Sequence, residues 1–450
     1  MTRIAGREAL KTLMITDNKK IVVSGMRPTG RLHLGNYWGA LKNWVDLQDK
    51  YQCYFFVADW HALTTGHDKA DSIPANTRLM VQDWLAAGLD PDKCVFFRQS
   101  DIKEHAELYL LLGMITPVSW LLRNPTFKEQ LLELHRQKYK GQEDKMKSAE
   151  GATKKLLEAH AGEDGDLATH SEISTYGFLG YPILQAADIL LYKADFVPIG
   201  RDQLPHLELT REIARRFNHS FGSPFFSEPD ALLTATPAVP GIDGRKMSKS
   251  YGNTIELAEE PKSLEAKIKK MYTDPLKVKV DDNGHPEGCV VCAFHRIYNP
   301  DFAARDTACR TGATGCGACK KQLFELMNKA IKEFRGRRKA YEQDPAGVDR
   351  ILEAGNARAR AVSAASSTSS SGRTFTWKAC DSLPARSMLH WRLSGGMGTP
   401  EGPSSRTAEV AGCSEIGAVA QPPSQRTSSA KTNANAQQRV SAMCQALFPG

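Results

Sequence analysis

Apolar positions fall into two rhythms over the first two hundred residues. Short β-branched or aromatic runs, Ile21-Val22-Val23, Tyr54-Phe55-Phe56-Val57 and Cys94-Val95-Phe96-Phe97, read as buried strands. Between them lie helix-spaced positions: Leu34, Tyr37, Trp38, Leu41 and Val45, then a second series from Ser72 to Gly88. Strand and helix in alternation predict an α/β fold, a Rossmann-like, doubly wound parallel sheet with ligands at the carboxyl ends of its strands. Residues 128–171 are dominated by Lys, Glu, Gln and Ala and predict one or two charged helices inserted at the surface. Past residue 255 the pattern is helical only, notably over 264–271 and over a Lys/Arg-rich stretch, 320–341. From Ser363 the periodicity is lost in Ser/Thr-rich and Pro/Gly/Gln-containing sequence, which predicts a disordered tail to Gly450. The expected organisation is therefore an N-terminal extension (1–19), a sheet domain (20–255), a helical domain (256–362) and the tail (363–450).

Composition narrows the class. A chain of 450 residues is long enough for more than one domain and an ample core. Its formal charge of +8 is compatible with an RNA partner. No apolar run reaches membrane-spanning length. The first twenty residues carry both charge signs and no hydrophobic secretory segment. Five of the ten cysteines lie between Cys289 and Cys319, which does not resemble a disulfide framework. A cytoplasmic, reducing location is expected.

Three groups of residues carry candidate chemistry. The stretch Ser24-Gly25-Met26-Arg27-Pro28-Thr29-Gly30-Arg31-Leu32-His33-Leu34-Gly35-Asn36 is a strand end, a Gly/Pro turn and a helix start. Such a turn lets backbone approach a ligand, and the helix start suits an anion. His33 and Asn36, three apart, can address the same phosphate. Far downstream, Lys246-Met247-Ser248-Lys249-Ser250, flanked by Gly244 and Gly252, predicts a cationic clamp. Tyr181, Gln185 and Asp188 recur at i, i+4 and i+7 in an otherwise apolar helix from Phe178 to Leu191, which suits the floor of a pocket. Separately, Cys289, Cys309, Cys316 and Cys319 have spacing that suits Zn²⁺ or an iron–sulfur cluster, with Cys292 as a competing thiol.

The first and second of these strings, in this order, resemble the two signatures of class I aminoacyl-tRNA synthetases. Asn36-Tyr37-Trp38-Gly39-Ala40, Val57-Ala58-Asp59-Trp60-His61-Ala62-Leu63, Tyr181-Pro182-Ile183-Leu184-Gln185-Ala186-Ala187-Asp188 and Val197-Pro198-Ile199-Gly200-Arg201-Asp202-Gln203 resemble the bacterial tryptophanyl branch. The resemblance runs from about residue 20 to 362. It implies activation of L-tryptophan with ATP and Mg²⁺, transfer to tRNA(Trp), a C-terminal helical anticodon-binding domain and a homodimer.

Residue by residue, it implies that His33 and Asn36 hydrogen-bond the reacting phosphates and that Lys246 and Lys249 hold the pyrophosphate. Pro28, Thr29, Gly35, Gly200, Arg201, Asp202, Val239, Met247, Ser248 and Ser250 line the ATP. Asp188 would accept the indole N–H, and Tyr181, Gln185 and Gln203 would hold the ammonium and carboxylate. Val23, His61, Val197 and Ile199 would form apolar walls. Gln130 stands where the family often carries a second lysine, and Arg27 is expected to supply that charge. A subset of the family carries a [4Fe–4S] cluster on cysteines like these, with a longer first gap. Tyrosine remains the rival substrate, because related enzymes use Tyr, Gln and Asp on the same helix. A small-molecule nucleotidyltransferase with a similar first signature, and a non-catalytic RNA-binding relative, are the alternatives from other classes.

Overall fold

The alternation of runs is realised as a five-stranded, all-parallel sheet. The computed structural model describes residues 19–125, 175–222, 224–233 and 239–366, with 142 and 151 besides. The N-terminal extension up to residue 18, nearly all of the 128–171 insertion with Gln130, and the sequence from 367 lie outside the described residues. The strands are β1 (Ile21–Met26), β2 (Gln52–Val57), β3 (Cys94–Arg98), β4 (Phe196–Ile199) and β5 (Asp230–Leu233), in the order β3-β2-β1-β4-β5. The order reverses between β1 and β4, so a crevice opens beyond their carboxyl ends.

Successive strand residues feed opposite faces, as a period of two requires. Val22, Phe55 and Phe96 belong to one core, with Trp44 stacked 4.4 Å from Phe55. Val23, Tyr54, Val95 and Phe97 belong to the other.

The helices cover both faces. The helix starting at Leu34 runs as Leu34–Asn36, a π-helical turn Tyr37–Leu41, and Lys42–Leu47, together α1. Then come α2 (Asp59–Gly66), α3 (Ile73–Ala87), α4 (Glu104–Ile115), α5 (Val118–Arg123), α6 (Tyr176–Leu190) and α7 (Leu204–Ser220). The helical stretch expected after residue 255 comprises α8 (Pro261–Lys270), α9 (Val290–Tyr298), α10 (Phe302–Arg310), α11 (Cys316–Gln343) and α12 (Pro345–Ser366). Its apolar faces are not a separate core. Leu264, Val290, Leu323, Met327 and Leu352 pack into the same cluster as Val22 and Phe96.

The last helix, α12, runs through Ser363, which is buried, so it takes in the first residues that composition assigned to the tail. Ala361 and Ala364 carry no helix-breaking side chain and sustain it. It lies directly on β3, where a β-carbon at Gly355 would collide with the carbonyl of Phe96. A backbone carbonyl in a strand cannot swing aside as a side chain can. Gly355→Ala is therefore expected to destabilise the fold by about 3 kcal/mol, with no direct contact to the crevice. Urea unfolding measures it, and an unchanged midpoint would show that α12 can lift off β3.

Candidate active site

The crevice is built first by the turn between β1 and α1. Gly25 lies against the ring of Phe56, where any β-carbon would clash, and Gly30 has φ +89°. Both positions therefore need glycine. Asn36 folds back so that its Oδ1 accepts the His33 N–H at 3.1 Å, which fixes the helix start and leaves the amide NH₂ end out of that bond. The Nδ1 of His33 is buried without a partner.

The second signature closes onto this turn from 212 residues away. The Gly35 N–H meets Met247 Sδ at 3.4 Å, and Lys249 Nζ donates to the Thr29 carbonyl at 2.6 Å. Just beyond, Leu34 N donates to Ile255 O and Leu257 N to Leu32 O, both at 2.9 Å. The loop is pinned from within by Asn253, whose side chain accepts from Ser248 N and donates to Asp243 and to the Lys246 carbonyl. The sequence pattern did not single out Asn253; its place directly behind Gly252 was the signal available. Lys246 and Ser250 are exposed, Ser248 is half-buried, and the two serine hydroxyls lie 2.8 Å apart. Val239, ahead of the loop, is buried.

The amino-acid side of the crevice rests on α6. Tyr181 and Asp188 are buried on its inner face with Gln185 half-buried, as the i, i+4, i+7 pattern requires. Tyr181 O–H lies 2.6 Å from Nε2 of His206 on α7. Asp188 Oδ1 accepts from Gln99 Nε2 at 2.7 Å and sits 2.6 Å from His105 Nδ1. Its Oδ2 is 2.8 Å from His61 Nε2. Burial opposes the charge on Asp188, but the hydrogen bonds from His105 and His61 outweigh it and leave the carboxyl below its ordinary range. His61, expected as an apolar wall, is thus a hydrogen-bonding partner of Asp188, because the first turn of α2 brings its Nε2 to the carboxylate.

Val23 and Val197, the other expected walls on β1 and β4, are core residues behind the pocket, whereas Ile199 is half-buried. Past β4, Gln203 donates to Asp202 at 3.0 Å, beside Gly200, and Arg201 is exposed. Arg27 is accessible but walled in by protein. The resulting desolvation lowers its pKa, against an opposing influence from Tyr181.

Two histidines here are held neutral. Burial, then the charge of Lys249, pushes His33 down to about 4. Burial, against the attraction of Asp202, pushes His206 down to about 4. The unfolded chain takes up these protons near pH 6.5, so stability is complete above that pH and is lost as pH falls toward 4. Each histidine should contribute about 3 kcal/mol to that loss. Urea unfolding of wild type and His206→Asn between pH 7.5 and 4 tests this. The variant should show the shallower decline, and identical slopes would contradict it.

Away from the crevice, Cys289, Cys292, Cys309, Cys316 and Cys319 line one small cavity with Lys277 and Arg305. All five are free thiols. Burial, then neighbouring Cys289, pushes Cys292 up to about 12, and burial pushes Cys319 up to about 11. Arg305 Nη1 is buried there without a partner. Among the described residues no three Cys, His, Asp or Glu side chains converge tightly enough for one metal ion. Neither the zinc nor the iron–sulfur reading of Cys289, Cys309, Cys316 and Cys319 has support in this geometry.

Comparison with known proteins agrees with the crevice. The family described as class I tRNA synthetases for W and Y matches residues 16–332. Tryptophan–tRNA ligase of Aquifex aeolicus is 44% identical, over 76% of this chain and 96% of its own. The Thermotoga maritima ligase is also 44% identical, over 76% and 95%. Among solved structures, tryptophanyl-tRNA synthetase from Campylobacter jejuni, complexed with ADP and tryptophan, superposes with a TM-score of 0.62 at 31% identity, covering 77% of this chain and 97% of that one. The chain belongs to the class I tRNA synthetases of the tryptophan and tyrosine branch, among the tryptophanyl-tRNA synthetases of bacterial type.

Proposed function

We propose that the chain activates L-tryptophan with ATP and transfers it to tRNA(Trp), using the crevice between the β1–α1 turn and α6. The observation that carries this is the contact of Lys249 with Thr29 at the turn that holds His33, beside a pocket floored by Asp188. The tryptophan carboxylate attacks the α-phosphate of ATP, pyrophosphate leaves, and the terminal ribose 2′-OH of the tRNA then displaces AMP from the adenylate. Little covalent work falls to side chains, and positioning plus charge stabilisation carries the rate.

Lys249 and Lys246 hold the departing phosphates. His33, neutral by burial, and the amide of Asn36 hydrogen-bond them at the helix start. Pro28, Thr29, Gly35, Met247, Ser248, Ser250 and Val239 shape the nucleotide side, and Gly200, Arg201 and Asp202 the ribose side. Tyr181, Gln185 and Gln203 hold the amino-acid head group, Arg27 supplies a further positive charge for the ATP phosphates, and Asp188 takes the indole N–H. ATP enters as its Mg²⁺ complex, the ion largely water-coordinated.

The helical part from residue 256 is the anticodon-binding portion in this reading. A homodimer completes it, with exposed Leu110, Met114, Val118 and Tyr176 as the apolar face for the second copy. The location is cytoplasmic. A [4Fe–4S] cluster on Cys289, Cys309, Cys316 and Cys319 stays a proposal from their spacing in the sequence; the cavity offers it free thiols and the unpartnered Arg305 Nη1. Such a cluster, when bound, would crosslink Cys289, Cys309, Cys316 and Cys319 and fasten the start of α11 to α10. Iron and zinc analysis of protein purified without oxygen decides it.

The reaction is tested by ATP–pyrophosphate exchange with tryptophan and with tyrosine. Exchange with tryptophan alone is expected. Exchange driven by tyrosine would reassign the pocket, and exchange with neither would remove the activity.

A further inference from the structure

Both oxygens of Asp188 have partners within the protein, so a substrate N–H can be read there only by replacing one of them. The two oxygens are not held alike. Oδ1 lies within hydrogen-bond distance of Gln99 and His105, both fully buried, at 2.7 and 2.6 Å. Oδ2 faces His61 alone among the described residues, and His61 is half-buried at the pocket edge. His105 sits among the rings of Phe56, Phe97 and Tyr192, with Nε2 2.9 Å from the Tyr192 hydroxyl. Burial, then the charge of Asp188, raises the Tyr192 pKa well above its ordinary value, so this hydroxyl stays protonated. The Asp188 carboxylate only accepts, so Nδ1 of His105 carries a proton aimed at it, and Nε2 faces the Tyr192 hydroxyl.

We propose that His105, fixed by Tyr192, is a positioning residue for tryptophan specificity: with Gln99 it locks Oδ1 of Asp188 and so presents Oδ2, released by His61, to the indole N–H. This rests on the reading that Asp188 accepts the indole N–H. A carboxylate whose one oxygen is saturated by fixed donors cannot rotate to follow a misplaced ligand, so its free oxygen has a defined direction. His61 is the exchangeable partner, which the substrate donor replaces one for one. A ligand without that donor displaces His61 and leaves Oδ2 buried and unpaired, which is costly.

The test compares tryptophan with its benzothiophene analogue, in which sulfur replaces the indole N–H, by kcat/KM in pyrophosphate exchange. Wild type should prefer tryptophan by about ten- to a hundredfold, the range set by one unpaired buried group. In His105→Phe, an apolar ring of similar shape, that ratio should fall to about threefold or less, through a higher KM for tryptophan. His105→Asn, which can still offer an N–H to Asp188, should recover part of it. Tyr192→Phe keeps the packing and should lower the ratio at least threefold, and it stands in if His105→Phe does not fold. Discrimination that survives intact in these variants overturns the role of His105 while sparing that of Asp188. A wild type that does not discriminate overturns the Asp188 reading itself, and this inference with it.

Discussion

Lys249→Ala is expected to lower the rate of tryptophan-dependent pyrophosphate exchange by about a hundredfold or more, with little change in the KM for tryptophan. The lysine is the cation that the fold delivers to the β1–α1 turn, 2.6 Å from Thr29 O and 3.6 Å from where a β-carbon of Gly30 would sit. Charge on the phosphates grows as pyrophosphate departs, so a fixed cation there stabilises the transition state more than the bound ground state. Burial lowers the pKa of Lys249, with Glu256 and Asp83 opposing that effect. Its ammonium, exposed to solvent, is held at the turn by the bond to Thr29 O before a phosphate arrives.

The loop itself does not depend on this side chain, since Asn253 and Met247 anchor it. A loss of rate would therefore reflect the missing charge and not a disordered clamp. Exchange within fivefold of wild type would mean that Lys249 is a structural tether to Thr29 and that the phosphates are held elsewhere.

Much of this crevice was legible in the sequence because its determinants are local. The Gly/Pro turn follows a β-branched strand, and its glycines are needed where Gly25 abuts Phe56 and Gly30 adopts a positive φ. The lysine clamp is one short string between two glycines. The Tyr181–Asp188 face follows from helical spacing alone. What local patterns do not encode is which side chains come back across the fold. Gln99 and His105 reach Asp188 from 89 and 83 residues away.

A faint signal for His105 existed, since it shares a helical stripe with Leu108 and Leu112 and all three are buried. A histidine on such a stripe must find a polar partner in the interior. Likewise the family resemblance implies His61 as an apolar wall, whereas its Nε2 meets the Asp188 carboxylate. The helical stretch after residue 255 was foreseen as a domain, but its apolar faces pack on the sheet. Periodicity reports that a face is buried and not what covers it.

That shared core makes Arg338→Met the substitution expected to cost the most stability, about 3–5 kcal/mol. Arg338 on α11 and Asp83 on α3 are 2% and 1% exposed and form an ion pair through Nε and Oδ1. The other oxygen of Asp83 accepts the Leu32 N–H at 2.6 Å, directly before His33. Glu342 pairs with Arg338 and, at 3.4 Å, with Arg31 in the same turn. Removing the guanidinium strands a carboxylate in the interior with a single backbone donor, and the Leu32 bond then loses its orientation.

Pairing Arg338→Met with Asp83→Leu removes the buried charge altogether and should return most of the lost stability, since apolar replacements of buried pairs are often neutral. It cannot return the Leu32 partner. The double variant should therefore unfold in urea near the wild-type midpoint yet remain slow in pyrophosphate exchange. If the single variant keeps the wild-type midpoint, the pair is not the clamp between α11 and the β1–α1 turn. If the double variant recovers activity together with stability, Asp83 contributes packing alone and the turn holds its shape without it.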